Sequence, residues 1–226
     1  MIEVCGVTKV YGKKASEFKA LDNVSFKIPN GASVAILGKS GSGKSTLMHI
    51  MSGLDHPESG EVIIDGKNIL KMKVKEVDKF RSTAMSFIFQ SFFVQGNESC
   101  YNNVSLPLEI ADFAPSKRRT KIIAALTAVD LLDKIKARSR DLSGGQKQRL
   151  AVARAIVNSP NILFADEPTG NLDSVTGKVV EDLLFDYNKK NKATLILVTH
   201  DAELAARCDI KIHIKDGRTD SVKGMK

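Results

Sequence analysis

The stretch Gly38-Lys39-Ser40-Gly41-Ser42-Gly43-Lys44-Ser45-Thr46 fits the pattern G-x-x-x-x-G-K-[ST] over its whole length. We call it the phosphate loop. It follows the apolar residues 34–37 and precedes the helix-like residues 47–51, the strand-loop-helix context that the pattern requires. Its glycines let the backbone wrap tightly, so that successive N–H groups and the positive end of the next helix point at one spot. We therefore predict that these nine residues bind a nucleotide, with Lys44 at the β- and γ-phosphates and Ser45 at Mg²⁺.

The composition is ordinary for one or two packed globular lobes, with 42 % hydrophobic and 27 % charged residues among 226. The net charge of +8 is compatible with a nucleic acid, an anionic membrane face, or bound phosphate groups on a protein with a lysine-rich solvated surface. We favour the last explanation and rank the membrane face second.

The cysteine and hydropathy patterns indicate the cellular compartment in which the protein is expected. Cys5, Cys100 and Cys208 are widely spaced and form no C-x-x-C pair, which indicates neither a disulfide framework nor a zinc site and fits a reducing cytosol. No apolar run approaches the roughly 20 residues that span a bilayer, and the chain begins with a strand-like segment instead of a signal sequence. A membrane role is therefore expected to come through another chain.

The first 28 residues read as short β-type runs, residues 2–7 and 24–28, separated by a polar loop. This pattern favours an antiparallel meander. Tyr11 is placed in that loop, where no apolar periodicity accounts for an aromatic residue. Its ring could stack on a flat base, or it could fold over the edge of the sheet.

Three further apolar runs, residues 85–89, 162–165 and 194–199, are suited to buried strands and end in polar side chains. The side chains that follow them are Gln90, the pair Asp166 and Glu167, and His200. Because ligands of open parallel sheets lie at the carboxyl ends of strands, we expect these residues to converge with the phosphate loop.

Residues 91–140 differ in character, with a helical stretch at 117–129 and a basic run at 134–140, and we predict a mostly helical insertion. It ends at residues 142–149, Leu-Ser-Gly-Gly-Gln-Lys-Gln-Arg, where Ser143 is a good helix N-cap. Two glycines in the first turn cost the helix roughly 1 kcal/mol each relative to alanine, so something is expected to approach closely. A second anion seat and a tight capped turn are both compatible with this pattern.

These residues suit phosphoryl transfer to water. Asp166 would hold Mg²⁺ together with Ser45 and Gln90, since Mg²⁺ prefers oxygen ligands and keeps several waters. Glu167 would accept a proton from the attacking water. His200 would hold the γ-phosphate and the water in line. Glu167, His200 and Lys44 are thus the predicted catalytic residues.

The phosphate loop, residues 142–146, residues 165–168, residues 171–173 and His200 follow one another in an order that resembles the ATP-binding subunit of an ABC transporter, over essentially the whole chain. The resemblance implies an α/β fold with a P-loop NTPase core, whose mostly parallel sheet has flanking helices. It adds an N-terminal antiparallel β subdomain and an inserted helical subdomain. The chain would be one ABC ATPase domain, 1–226, with the RecA-like/β core at 1–90 and 141–226 and the helical insertion at 91–140.

The same resemblance implies ATP and Mg²⁺ as cofactors and a head-to-tail dimer of two copies. The signature segment, residues 142–146, would close on the ATP held by the other copy. Tyr11 would stack on adenine, and Gln90 would link the metal site to the membrane partner. The implied ATP-contacting residues beyond the phosphate loop are Tyr11, Gln90, Ser143, Gly144, Gly145, Gln146 and Asp173.

Within the family, residues 165–174 and the long loop after Tyr11 resemble the macrolide-export and lipoprotein-release branch. Residues 96–100 depart from the pattern of that branch in the region expected to face the partner. We expect a permease-driving subunit, with peptides, antibiotics or lipoproteins as cargo, on the cytoplasmic face of the membrane. The alternative is an ATPase that regulates a signalling protein or a cell-wall hydrolase without moving cargo. No nucleic acid partner is expected.

Overall fold

A computed structural model describes residues 1–13 and 16–224. The chain forms two compact units. The first unit comprises Met1–Arg81 and Thr194–Lys226, and the second comprises Ser82–Ala193. The predicted helical insertion, residues 91–140, lies wholly within the second unit, and its separation from the core as a subdomain stays a prediction.

The strands and helices follow one another along the chain as an α/β pattern. They are β1 (Ile2–Tyr11), β2 (Phe18–Ile28), β3 (Ser33–Leu37), α1 (Lys44–Met51), β4 (Ser59–Ile64), β5 (Lys67–Asn68), α2 (Val74–Ala84), β6 (Met85–Phe89), α3 (Cys100–Ile110), α4 (Pro115–Ala128), α5 (Gly144–Ile156), β7 (Ile162–Asp166), α6 (Ser174–Asn191), β8 (Thr194–Val198), α7 (Ala202–Ala206), β9 (Ile210–Lys215) and β10 (Arg218–Lys223). Helix α2 carries the chain from the first unit into the second.

An antiparallel sheet in the first unit has the strand order β2-β1-β4-β5. Apolar and polar residues alternate along β1, so that Ile2 and Val4 are buried on one face. Ile2 pairs with Ile28 on one side and with Ile64 on the other. The predicted antiparallel arrangement is therefore present, but β1 continues to Tyr11, which pairs with Phe18. Tyr11 thus ends a strand, and the prediction that it lies in a loop was wrong.

The phosphate loop follows a buried parallel strand. Strand β3 pairs in parallel with β8 on one side and β9 on the other, while β10 is antiparallel to β9. The apolar run at 34–36 is fully buried, as expected for a strand covered on both faces. Strand β3 ends at Leu37, and α1 begins at Lys44.

The second unit combines a parallel strand pair with four helices. Strands β6 and β7 run parallel, with Phe89 beside Asp166. Helix α5 packs against α3, α4, α6 and β6. The predicted helical stretch 117–129 corresponds to α4, Pro115–Ala128, whereas α3 was not predicted.

No helix among residues 1–13 and 16–224 is long and apolar enough to cross a membrane.

Candidate nucleotide site

Backbone contacts on its inner side fix the shape of the phosphate loop. Gly43 has a φ of 101°, and a Cβ atom there would lie 2.4 Å from the carbonyl oxygen of Ala20. Only glycine fits this position, because an L side chain would be both strained and obstructed. The turn between β9 and β10 supports the loop as well, since Gly217 N–H donates to the Ser42 carbonyl at 3.2 Å. The residues that lead into α1 are thereby held in place.

Two side chains of the phosphate loop, Lys44 and Ser42, show whether the loop is suited to bind phosphate. The Lys44 ammonium donates to the carbonyl oxygens of Gly38 and Lys39, at 2.9 Å each, and so lies across the loop. The Ser42 hydroxyl is buried and has no hydrogen-bond partner within the described part of the chain. A buried polar group without a partner is costly, and a phosphate oxygen would satisfy it. Both residues therefore fit a polyphosphate ligand.

Tyr11 lies in a charged network beside α1. Its hydroxyl donates to Asp55 at 2.7 Å, and the Lys9 ammonium lies 4.9 Å from the centre of its ring. Burial and the Asp55 hydrogen bond raise the pKa of the Tyr11 hydroxyl, while the hydroxyl of Thr46 in the phosphate loop lowers it. The Tyr11 side chain remains 41 % exposed, which leaves ring surface available to a planar ligand.

His200 lies two residues after the end of β8, and the buried residue Thr199 lies between them. Its side chain is exposed. The next residue, Asp201, accepts hydrogen bonds from the N–H groups of Glu203 at 2.7 Å and Leu204 at 3.1 Å, and so begins α7. This cap starts α7 immediately after His200, two residues beyond the end of β8.

In the second unit, the predicted residues Gln90, Asp166 and Glu167 lie at the ends of neighbouring strands. Asp166 is the last residue of β7 and pairs with Phe89, so Gln90 and Glu167 are the next residues of the two chains. Glu167 has a φ of 45°, a left-handed conformation that is uncommon outside glycine. The chain therefore leaves the strand direction between the two carboxylates. Such strained residues cluster at active sites.

The loop after Glu167 holds Gln90 from the side. Asn171 Nδ2 donates to the Gln90 carbonyl at 3.0 Å, and Gln90 Nε2 donates to Asn171 Oδ1 at 3.4 Å. A Cβ atom at Gly170 would lie 2.9 Å from Gln90 Nε2. The structure thus brings Gln90 against the loop that follows the two predicted carboxylates.

The signature segment begins α5 with a capping box. The Ser143 hydroxyl accepts from the Gln146 N–H at 3.3 Å, and Gln146 Oε1 accepts from the Ser143 N–H at 3.0 Å. The prediction of an N-cap at Ser143 is confirmed. The space around the two glycines differs. A Cβ at Gly145 would lie 2.3 Å from Thr176 Cγ2 of α6, whereas one at Gly144 would meet only the Phe92 ring, at 3.9 Å. The close approach at Gly145 is therefore to α6, whereas the space beside Gly144 is open. The predicted ATP contacts of both glycines stay predictions.

This difference predicts opposite outcomes for two matched substitutions. Gly145→Ala should lower the free energy of unfolding by about 1–3 kcal/mol, since overpacking against Thr176 outweighs the gain in helix propensity. Gly144→Ala should leave it unchanged or raise it. Urea unfolding of both variants measures the difference, and Thr176→Ala combined with Gly145→Ala should restore stability. Equal unfolding free energies for the two single variants would contradict this account of Gly145.

Asp173 has a structural task. Its carboxylate accepts from the Thr176 N–H at 3.0 Å and caps α6, and this backbone hydrogen bond lowers the pKa of Asp173. The cap accounts for an aspartate immediately before the helix. Its predicted contact with a nucleotide stays a prediction.

The residues predicted to hold Mg²⁺ are Ser45, Gln90 and Asp166. No group of three or more His, Cys, Asp or Glu side chains that could hold a metal ion exists within residues 1–13 and 16–224. A hydroxyl, an amide and a carboxylate are oxygen donors of the kind that Mg²⁺ prefers, and Mg²⁺ is commonly bound by one or two carboxylates together with waters and substrate phosphates. That these three residues hold it together stays a prediction.

Three features were not predicted from the sequence. They are the Lys9–Asp55 pair that holds Tyr11, the burial of the Ser42 hydroxyl without a partner, and the full burial of the Gln148 side chain in α5. Gln148 follows the glycine pair closely in a run of polar residues, so the pattern indicated an exposed helix surface. The available signal was its spacing, because Gln148 precedes the apolar Ala151 and Val152 by three and four positions and so shares their helix face.

The glycine-shaped loop with a lysine at a helix start, and the carboxylates that end a parallel strand, define the class of phosphate-loop nucleotide-binding proteins. The sequence profile described as ABC transporter matches residues 21–170 of the chain. The chain belongs to this family, and it is an ATP-binding domain that hydrolyses ATP. The predicted family, fold class, ATPase activity and cofactors are confirmed.

Relatives and solved structures agree with this assignment. The lipoprotein-releasing system ATP-binding protein LolD of Syntrophotalea carbinolica is 42 % identical over 218 residues, which cover 96 % of each chain. The macrolide export ATP-binding/permease protein MacB of Hyphomonas neptunium is 41 % identical over 226 residues, which cover all of this chain and 35 % of that protein. A dimeric post-hydrolysis structure of the ATP-binding cassette MJ0796 bound to ADP and Pi superposes with a TM-score of 0.91 at 36 % identity, and covers 100 % of this chain and 99 % of that chain.

Proposed function

We propose that this chain is the ATPase subunit of a membrane complex in the lipoprotein-release and macrolide-export branch, held at the cytoplasmic face by a separate permease. The observation that carries the proposal is the phosphate loop, in which Lys44 lies across the loop carbonyls and the Ser42 hydroxyl is buried without a partner. The LolD and MacB relatives support the choice of branch.

Binding of the polyphosphate would use the phosphate loop and Tyr11. Lys44 would exchange its contacts to Gly38 and Lys39 for phosphate oxygens, and Ser42 would gain the partner that it lacks. Backbone N–H groups at the start of α1 would add a favourable positive end of the helix dipole. The exposed ring surface of Tyr11 would carry the base.

Hydrolysis would use groups at strand ends. Ser45, Asp166 and Gln90 would hold Mg²⁺, which supplies charge neutralisation for the phosphates when it is bound. Glu167 lies one residue beyond the strand in a left-handed conformation, so its carboxylate need not share the metal contact of Asp166. It would take the proton of the attacking water, and His200 would orient the water and the γ-phosphate.

A second copy of the chain would complete each site. One chain has one phosphate loop and one signature segment, so two shared sites require two chains in a symmetric arrangement. Ser143 and Gly144 are exposed at the start of α5, and the neighbourhood of Gly144 is open. Dimeric cassette structures that superpose on this chain support the arrangement.

The permease would dock beside Gln90. Phe93 is 66 % exposed, has a φ of 46°, and packs edge-on against Phe89 with ring centres 5.4 Å apart. A large exposed aromatic side chain on a fixed backbone is suited to a protein contact. We assign residues 91–101 as one wall of a groove for a short helix of the permease, a helix-in-groove contact.

Alanine substitution at the rim of this groove tests the docking. Glu98→Ala and Tyr101→Ala should leave the ATPase rate of the isolated chain near that of the parent. Both should weaken co-purification with the permease, and also the stimulation of ATP hydrolysis that the permease gives. Lys117→Ala, an exposed change elsewhere in the second unit, is the control. Full assembly and stimulation of both rim variants would place the docking surface elsewhere.

Vesicles that contain the assembled complex separate transport from regulation. ATP-dependent movement of a lipoprotein, a peptide or a macrolide is expected for a transporter. Stimulated ATPase without movement of any of these cargoes would instead support an ATPase that regulates its membrane partner.

A further inference from the structure

Helix α5 reaches from the signature segment to the loops that carry Gln90 and Glu167. Gln148 on this helix is fully buried, and its Nε2 donates to the carbonyl oxygens of Phe89 at 3.4 Å and Pro168 at 2.5 Å. Phe89 immediately precedes Gln90, and Pro168 immediately follows Glu167. A single side-chain amide therefore ties the two predicted functional strand ends to α5.

Arg154 holds the same loop farther along. Its Nη1 donates to the Phe93 carbonyl at 2.6 Å and its Nη2 to the Phe92 carbonyl at 3.1 Å. Burial lowers the pKa of the Arg154 guanidinium, and no carboxylate forms an ion pair with it within the described ranges. Both terminal nitrogens of the guanidinium thus donate to backbone carbonyls. Lysine cannot reproduce this geometry, because its ammonium is a single point charge.

Together these contacts hold residues 89–93 of the Gln90 segment, which we define as residues 89–95. Gln148 fixes Phe89 at its start, and Arg154 fixes Phe92 and Phe93 beyond Gln90. Asn171 fixes the Gln90 carbonyl between them. The segment is therefore attached to α5 rather than left as a free connection.

We propose that Gln148 and Arg154 are positioning residues that make α5 the link between the signature segment and the Gln90 and Glu167 loops of the same chain. The inference rests on the proposed function, in which Ser143 at the start of α5 contacts ATP held by the second copy. A helix moves as one element, so a shift of its first turn also moves Gln148 and Arg154. Occupation of one ATP site then favours the working arrangement of the other, which is a coupling between two sites.

The alternative is that both side chains only stabilise the fold, and a third side chain on α5 provides a matched control. Arg149 Nη1 also donates to backbone carbonyls, those of Val129 at 3.1 Å and Asp130 at 3.3 Å, but these lie at the end of α4. Arg149 Nη1 also donates to the Asp130 carboxylate at 3.2 Å. Arg149→Met therefore removes backbone contacts of the same kind together with one exposed ion pair, without touching the Gln90 segment. Gln148→Leu and Arg154→Met remove the proposed links at similar side-chain volume.

Hydrogen exchange of the nucleotide-free protein gives a readout that does not depend on catalysis. The Gln95 amide, which donates to Asn103 Oδ1 at 2.7 Å, should exchange at least about tenfold faster in Gln148→Leu and Arg154→Met than in the parent, since each variant frees carbonyls that fix the residues before it. In Arg149→Met, the increase should be confined to the end of α4. Arg154→Lys should fall between Arg154→Met and the parent.

Steady-state kinetics tests the positioning role. Gln148→Leu and Arg154→Met should lower kcat by about tenfold to hundredfold and raise the Mg²⁺ concentration for half-maximal rate, as is typical when outer partners of a metal site are removed. KM for ATP should change little, because the phosphate loop is untouched. The Hill coefficient for ATP should fall towards one. Arg149→Met should retain the kcat, Mg²⁺ dependence and Hill coefficient of the parent.

Two outcomes would overturn the inference. One is that Gln148→Leu and Arg154→Met match Arg149→Met in exchange of the Gln95 amide and in kcat, when all three lose similar thermal stability. The other is loss of kcat with an unchanged Hill coefficient and Mg²⁺ dependence. Glu167→Gln, measured in parallel, separates failure of this inference from failure of the proposed function. If Glu167→Gln did not slow hydrolysis, the proposed function itself would be contradicted.

Discussion

Glu167→Gln is expected to keep ATP binding and to slow hydrolysis by about 10²-fold or more, the usual contribution of a general base. The amide preserves the size of the side chain but cannot accept the proton of the attacking water. Asp166, which ends β7, keeps its carboxylate, so the metal contact proposed for it is retained. Single-turnover release of phosphate measures the chemical step, and calorimetry measures ATP affinity.

A second carboxylate provides the control for this result. Glu203 lies in the first turn of α7, shortly after the end of β8, and is exposed. Glu203→Gln removes an acidic group near a strand end without removing the proposed base, so its hydrolysis rate should match that of the parent. Similar rates for Glu167→Gln and the parent would assign the base to another residue.

Blocked hydrolysis should also stabilise the dimer. In the Glu167→Gln variant, each ATP would bridge the phosphate loop of one chain and Ser143 of the other, and light scattering should show twice the monomer mass in the presence of ATP. Adding Ser143→Arg places a bulky cation at the start of α5 and should return the protein to a monomer. A Glu167→Gln variant that stays monomeric at all concentrations would contradict the shared site.

The strands and the phosphate loop were predictable because their signals are local. Residues 34–36 and 162–165 are continuous apolar runs, and the structure buries them in parallel strands. The phosphate-loop pattern itself contains the turn residues and the start of the helix. In these regions, local propensity and the fold agree.

Helix α3 was missed because a proline argues against it. Pro107 lies inside α3 and removes one backbone donor, which normally breaks a helix. The helix forms nevertheless, since Ser99 caps its start and buried Val104 and Leu108 lie on a helix that packs on α5. Packing across the second unit therefore overrides local propensity, and single-sequence patterns do not contain that information.

The candidate site was predictable by residue type but not by contact. The two glycines of the signature segment predicted a close approach, and the structure shows that α6 makes it at Gly145. The attachment of the Gln90 segment by Gln148 and Arg154 links residues 59 to 62 positions apart. Such pairs depend on how strands and helices pack, which a polar pattern on one helix does not specify.

Lys44→Ala is expected to weaken ATP affinity by about 30-fold to 1000-fold, which corresponds to about 2–4 kcal/mol for loss of a hydrogen-bonded charge partner. The Lys44 ammonium lies across the loop, at 2.9 Å from each of the Gly38 and Lys39 carbonyl oxygens. Removing it deletes the cation that would face the phosphates and frees the loop that presents the N–H groups. Calorimetry with ATP and Mg²⁺ measures the affinity, and circular dichroism checks that the variant is folded.

Lys39→Ala tests whether ATP affinity depends on where the positive charge lies or only on the net charge of the phosphate loop. Lys39 is exposed and contributes its carbonyl to the Lys44 contact, and alanine keeps that carbonyl. Exposed charges contribute little, so its affinity should change by less than about fivefold. If both variants lost affinity equally, long-range charge would account for binding. Unchanged affinity in folded Lys44→Ala would contradict the role of Lys44 as the main cationic contact to ATP.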